Sequence, residues 1–204
     1  LSECSPAVSV NRLDWQKPLS VGLPLPGYEV KIVNDEMMEV KTGIVGEIMV
    51  KGDCVMQGYL NHPDATDETI INGWLLTGDL GKKDEDGFIY IVDRKKDLII
   101  SKGINIYPRE IEEVIYKYEG VDAVAVIGLR DETKDEDVLA FIQPKEGFEL
   151  QEMELRQYLK KHLANFKLPK HIYFVEELPK NATGKVLKRV LKEKVQAGGF
   201  LRKK

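Results

Sequence analysis

Asp93-Arg94-Lys95-Lys96-Asp97-Leu98-Ile99-Ile100 sets three consecutive cations between two acids and then turns apolar. Charges at the density of Arg94-Lys95-Lys96-Asp97 are too costly to desolvate together, so that cluster reads as an exposed joint between two bodies. The patterning on its two sides differs, which is why the joint decides the fold. Upstream, alternating or apolar runs at Tyr28–Val33, Ile44–Lys51, Trp74–Thr77 and Phe88–Val92 read as strands. Pro24-Leu25-Pro26-Gly27, Gly43, Gly52 and the hairpin signal Asp86-Gly87 punctuate them. A short helix is expected around Asp64–Ile71, with Pro63 near its start.

Downstream the period changes. Leu98–Ile100 and Ile104–Ile106 make a small hairpin about Lys102-Gly103. Ile111, Val114, Ile115 and Tyr118 then fall on one face of a helix that starts near Pro108 and ends at Gly120. Strands follow at Ala123–Leu129 and Val138–Gln143, joined by an acidic loop. A second helix over Gln151–Ala164 carries Leu155, Tyr158, Leu159, His162 and Leu163 on one side, with His162 expected at the core edge. A strand at Ile172–Val175 and a last helix turning Leu187, Val190 and Leu191 inward complete the pattern. The expected class is α+β: residues 1–95 form the β-rich end of a larger domain, 96–197 a small α+β domain, and 198–204 a basic tail.

Composition narrows the function. The 204 residues carry 43% hydrophobic content, enough for a real core, and a net charge of only −4. A general nucleic-acid binder needs a basic excess to neutralise phosphates, so that class is set aside. From Pro179 to Lys204, however, nine Lys or Arg meet one acid, Glu193. This reads either as a solvated helix face with a basic tail or as attraction for a phosphorylated ligand. Cys4 and Cys54 form no metal spacing or disulfide framework, so a reducing, cytoplasmic setting is the default. His62, His162 and His171 are scattered without zinc spacing. No apolar run approaches the ~18 residues of a membrane span. The opening Leu1-Ser2-Glu3-Cys4-Ser5-Pro6 has none of the regions of a signal peptide and reads as a cut inside a larger protein.

Few residues suggest chemistry by themselves. Thr183-Gly184-Lys185 is no P-loop, since Pro179 and Val186 stand where Gly and Ser/Thr are needed. Lys185 therefore reads locally as a lysine on a Gly-containing loop. Thr77-Gly78-Asp79 places a carboxylate at the expected end of an apolar strand. That carboxylate suits both hydroxyls of a ribose, or merely caps a turn. Arg94 offers a planar fork of donors to a sugar or phosphate, or a surface ion pair. Glu3 could supply a hard oxygen to Mg²⁺.

The ordered set is far more specific. Ser2-Glu3, Gly46-Glu47-Ile48, Gly58-Tyr59 with Pro63, Trp74–Leu80, Asp93-Arg94 before Lys102-Gly103, and Gly184-Lys185 succeed one another along the chain. So arranged, they resemble the adenylate-forming superfamily of acyl-CoA synthetases, adenylation domains and luciferases. The Leu1–Pro6 stretch, Arg94-Lys95-Lys96-Asp97-Leu98-Ile99-Ile100 and Asn105-Ile106-Tyr107-Pro108-Arg109-Glu110-Ile111-Glu112 are similar to fatty acyl-CoA ligases in particular.

The resemblance implies two half-reactions. A carboxylic acid and ATP give an acyl-adenylate and pyrophosphate; CoA then displaces AMP. It implies that Asp79 and Arg94 bind the ribose, that Ser2 and Glu3 sit at the AMP and Mg²⁺ site, and that Lys185 contacts the carboxylate and α-phosphate. Lys96 falls at the family's pivot, and Lys102, Gly103 and Asn105 match its CoA side. The implied partners are small molecules: the acid, ATP and CoA. No nucleic acid and no transmembrane segment are implied, and peripheral membrane contact stays open. Because the family's phosphate loop and most of its acyl pocket lie upstream of such a start, the 204 residues alone are expected to be inactive. Two alternatives remain: an adenylation domain that loads a carrier protein, and a non-catalytic binding module.

Overall fold

The computed structural model describes residues 1–130 and 135–199. Residues 131–134 of the expected acidic loop, and residues 200–204 of the expected basic tail, lie outside the described residues. The chain divides into two compact units between Lys96 and Asp97, inside the charged joint.

The first unit is β-rich. Strands β1 (Ser9–Val10) and β2 (Leu23–Pro24) pair as a small ribbon. The main sheet holds β3 (Tyr28–Val33), β4 (Gly46–Gly52), β5 (Ile70–Ile71), β6 (Trp74–Lys83) and β7 (Ile89–Arg94). Its order is β3-β4-β6-β5, with β7 also paired to β6, and every pairing is antiparallel. Helix α1 (Pro63–Thr69) begins with its proline and ends two residues before the expected Ile71. Ile70 and Ile71 leave the helix to pair with Leu75 and Trp74, because β-branched residues gain more on a sheet edge than in a helical turn. Val30, Ile32, Ile48, Val50, Leu75 and Ile89 alternate inward and bury one sheet face around Cys4.

Asp84 closes the β6–β7 hairpin. Its side chain accepts the N–H groups of Asp86 and Phe88, while Gly87 takes a positive φ of 85°. The same carboxylate accepts Lys17 at 2.5 Å, and Lys17 also reaches Asp86 at 2.6 Å. These pairs tie the loop after β1 to the hairpin.

The second unit begins with hairpin β8 (Ile99–Ser101) and β9 (Ile104–Ile106), turned by Lys102 and Gly103 at φ 51° and 75°. Two successive positive φ angles fit a two-residue hairpin turn that follows the strand twist. Helix α2 (Pro108–Tyr116) follows, then strands β10 (Val121–Arg130) and β11 (Glu136–Pro144), helix α3 (Glu152–His162), strand β12 (His171–Phe174) and helix α4 (Lys188–Gln196). β10 pairs antiparallel and β12 parallel with β11. Alternation along β10 and β11 separates two apolar layers. Val126, Val138, Ala140 and Ile142 pack with Ile111, Ile115, Leu155 and Leu159, from α2 and α3. Ala125, Ile127, Leu139 and Phe141 pack with Leu178 and with Leu191 of α4.

Two side-chain expectations fail here. His162 is exposed, its Nδ1 2.8 Å from the Tyr158 carbonyl and its ring over Tyr158, so Leu163 takes the inward position. Leu187 precedes α4 and is 37% exposed; Val186 and Val195 flank Leu191 instead. The cause is the isolated bridge of Val186 with Lys180, which holds that stretch extended, so the helix starts only at Lys188.

Candidate functional site

The β4–β6 ladder supplies the site's central irregularity. Glu47 pairs with Leu80 and Met49 with Leu76, so Ile48 alone faces Thr77, Gly78 and Asp79. The surplus residues bulge, and Gly78 takes φ 69°, a conformation that suits glycine because it lacks a Cβ. Asp79 thus lies within a strand that runs to Lys83, rather than at the expected strand end. Thr77 Oγ1 donates to the Ile48 carbonyl at 2.8 Å and accepts the Asp79 N–H at 3.1 Å, fixing both sides of the bulge.

Asp79 and Arg94 are direct partners in the β6–β7 register. Arg94 Nε lies 2.9 Å from Asp79 Oδ1, an ion pair that lacks the alignment of a hydrogen bond. The Asp79 side chain is 20% exposed and the Arg94 side chain 40%, so both keep a solvent-facing edge.

A cleft of about 610 Å³ opens beside the bulge, with Ser2, Glu3, Tyr59, Thr77, Gly78 and Arg94 in its wall. Ser2 and Glu3 belong to a single 3₁₀ turn, Ser2–Cys4, held by the buried Cys4. The Glu3 carbonyl accepts the Met56 N–H at 2.8 Å, and its carboxylate accepts the Tyr59 hydroxyl at 3.1 Å. Burial, then Glu3, pushes the Tyr59 phenol above its ordinary range, so this donor stays protonated. Asp79 itself opens on a smaller, more apolar cavity of about 270 Å³; Thr77 and Leu1 line both.

Glu47 is the residue that local reading missed. It is 8% exposed, and its two oxygens take separate partners. Oε1 accepts the Gly78 N–H at 3.1 Å; Oε2 accepts Lys95 Nζ at 2.9 Å. Lys95 also lies 3.1 Å from Asp35, and its hydrogen bond to Glu47 holds its ammonium above the ordinary range. The available signal was an acid between glycine and isoleucine at a strand start, where burial requires a partner.

Of the other expected residues, Lys96 follows Lys95 of the cleft wall in the chain, and the rest belong to the second unit. Lys96 is exposed in the 3₁₀ turn Lys95–Asp97. In the second unit, Lys102, Gly103 and Asn105 share the exposed β8–β9 turn region, where Asp135 accepts the Lys102 N–H at 3.0 Å. Lys185 is exposed on the loop before α4. Its loop is shaped: Asn181 Oδ1 accepts the N–H groups of Thr183 and Lys185 at 3.1 and 2.9 Å, and the Asn181 N–H donates to the Lys185 carbonyl at 2.9 Å. Among the described residues no cluster of three or more His, Cys, Asp or Glu could hold a metal, and no helix is long and apolar enough to cross a membrane.

A bulged sheet carrying a paired acid and arginine beside a polar cleft, followed by a small α+β unit, corresponds to a known architecture. Residues 1–60 match the AMP-binding enzyme family, and residues 110–185 match the AMP-binding enzyme C-terminal domain. The chain is 46% identical over 198 residues to a long-chain-fatty-acid–CoA ligase of Salmonella typhimurium, covering 96% of this chain and 35% of that one. Among solved structures, it resembles the o-succinylbenzoate–CoA synthetase of Bacillus subtilis in complex with ATP and magnesium ion. The TM-score is 0.86 at 36% identity, over 94% of this chain and 40% of that one. It also resembles the amide bond synthetase of Marinactinospora thermotolerans, with a TM-score of 0.78 at 35% identity, over 86% and 36% of the two chains. The chain belongs to the adenylate-forming, AMP-binding enzyme family and spans about 35% of the length of the curated relatives it matches.

Proposed function

We propose that the full-length protein carrying this chain is an AMP-forming acid–thiol ligase. A carboxylate oxygen attacks the α-phosphorus of ATP and pyrophosphate leaves; the CoA thiol then attacks the acyl carbon and AMP leaves. The observation that carries this reading is the cleft, in which Glu3, Gly78 and Arg94 meet in a chain 46% identical to a long-chain-fatty-acid–CoA ligase. That likeness also favours a long-chain fatty acid as the substrate.

Each residue has a physical role in the proposal. Asp79 accepts the ribose hydroxyls, and Arg94, beside it, holds that carboxylate and reaches the same sugar. Gly78 lets ligand approach the backbone. Glu3 suits Mg²⁺, which takes one or two carboxylates and leaves its other positions to water and phosphate; its place in the cleft wall, with Glu68 also there, fits that donor chemistry. When bound, the ion would offset phosphate charge. Lys185 serves the first half-reaction, in which two anions approach and a compact cation must stabilise the developing charge. Lys96 acts as the pivot, and Lys102, Gly103 and Asn105 serve the CoA step.

The experiment follows pyrophosphate release and acyl-CoA formation separately, in full-length protein given fatty acids of several lengths, o-succinylbenzoate, ATP and CoA. Acid-dependent release of pyrophosphate with matching acyl-CoA is expected for a long-chain acid. Likeness to the amide bond synthetase favours a second reading, with an amine as acceptor. Pyrophosphate release without thioester, but with amide, would select it.

A further inference from the structure

Glu47 is buried, anionic and shared between two places that matter. Through Oε1 it holds the N–H of Gly78, the residue on which the bulge turns. Through Oε2 it holds Lys95, the residue immediately before Lys96 in the charged joint. A buried carboxylate at a strand start has a simpler structural alternative, a leucine or methionine, because burying an ion pair often adds no stability over apolar packing. Its presence there needs another account, and the geometry gives one.

We propose that Glu47 is a positioning residue of the nucleotide site, which fixes the Thr77–Asp79 bulge and couples its shape to the joint through Lys95. The inference rests on the ligase reading and deepens it. A bulge has fewer ladder hydrogen bonds than regular sheet, so its shape depends on side-chain support. Thr77 supports the Asp79 side of it. The Gly78 N–H is held by Glu47, and the orientation of that peptide sets where Asp79 and the cleft wall stand. Lys95 then makes the support conditional. With its ammonium in place, the Glu47 charge is compensated; if the joint turned and Lys95 left, a buried carboxylate would face only the Gly78 N–H, and the bulge would loosen. Glu47 and Lys95 both line the cleft, so movement of the joint would thereby change the shape and charge of the nucleotide site's own wall.

The test uses full-length protein and three variants. ATP–pyrophosphate exchange gives KM for ATP in the first half-reaction; thioester formation from supplied acyl-adenylate gives the second. Glu47→Ala removes both contacts and is expected to raise KM for ATP about tenfold or more. Glu47→Gln keeps an oxygen for the Gly78 N–H and is expected to recover most of that loss. Lys95→Met is expected to change the ratio of the two half-reaction rates at least threefold. If Glu47→Ala does not fold, Glu47→Asp, one methylene short of Gly78, carries the same KM test. A general loss of structure would lower the active fraction in every variant without moving KM, and an unchanged KM in Glu47→Ala or Glu47→Asp overturns the inference. So does an unchanged rate ratio in Lys95→Met. Absence of exchange in the wild type, by contrast, overturns the ligase reading itself.

Discussion

Arg94 Nε stands 2.9 Å from Asp79 Oδ1, across a register in which the two residues face each other directly. A nucleotide bound as proposed would meet an acid and a planar cation already set side by side on adjacent strands, which removes part of the ordering cost of binding. Lysine in place of arginine keeps the charge but loses the fork of donors. Arg94→Lys should therefore raise KM for ATP about tenfold, which corresponds to about 1.4 kcal/mol. ATP–pyrophosphate exchange by full-length protein measures it, and an unchanged KM would remove Arg94 from the nucleotide site.

Lys185 is exposed, but its backbone is not free to wander. Asn181 accepts its N–H at 2.9 Å and closes the loop from the other side. If Lys185 stabilises charge in the first half-reaction, Lys185→Ala should slow adenylation by roughly 10²–10³ and leave transfer from supplied acyl-adenylate much less affected. Asn181→Ala leaves the lysine but loosens its support, and should give a smaller fall in the same step. Equal loss of both half-reactions in Lys185→Ala would sink the division of labour.

The legibility of this chain follows the reach of each interaction. Alternation located β3, an apolar run located β4, whose residues 46–50 are buried on both faces, and the helical stripe located Ile111 and Ile115, which face the core. The joint was legible because Arg94-Lys95-Lys96-Asp97 sets too many charges together to bury, although Asp93 just before it is buried. Thr77–Asp79 was not legible as a bulge: its surplus residues exist only relative to the partner strand, and no local pattern counts residues on another strand. Glu47 was hidden for a related reason. Its partners lie 31 and 48 positions away in sequence. Leu187 misled because its helical spacing from Leu191 is sound, whereas the bridge holding Val186 extended is set by Lys180.

The Lys17–Asp84 pair makes a pH prediction. The Lys17 hydrogen bond, foremost among several causes, holds the Asp84 carboxyl below its ordinary range. A group whose pKa is depressed on folding contributes stability above its unfolded pKa, about 3.9 for an aspartate. That contribution is lost as pH falls through the depressed folded value. Lys17→Met should accordingly lower the melting temperature at neutral pH, and the gap from wild type should close as pH drops below about 4. Melting curves across pH 3–7 read this directly. A gap that stayed constant over the whole range would assign the effect to packing of the Lys17 stem, whose ammonium lies 4.9 Å from the Phe88 ring centre.

Gly78 and Gly81 stand three residues apart on β6 and should fail differently. At Gly78 a Cβ would meet only Arg94 Nη2 at 3.8 Å, so space is adequate and the obstacle is φ 69°. An alanine held there costs about 1–2 kcal/mol, or relaxes the bulge and misplaces Asp79. At Gly81 the φ is ordinary, but a Cβ would come within 2.7 Å of both the Tyr90 carbonyl oxygen and Ile48 Cδ1. The isoleucine could rotate, whereas the carbonyl belongs to the paired strand and cannot yield without breaking the ladder. Gly81→Ala should therefore sit at the upper end of the about 1–3 kcal/mol typical of overpacking, and should leave KM for ATP unchanged in the protein that still folds. Gly78→Ala should show the reverse: a smaller fall in melting temperature and a raised KM. Calorimetry and exchange kinetics on the same preparations separate the two, and a larger melting-temperature loss in Gly78→Ala would contradict the assignment of Gly78 to the site and Gly81 to packing.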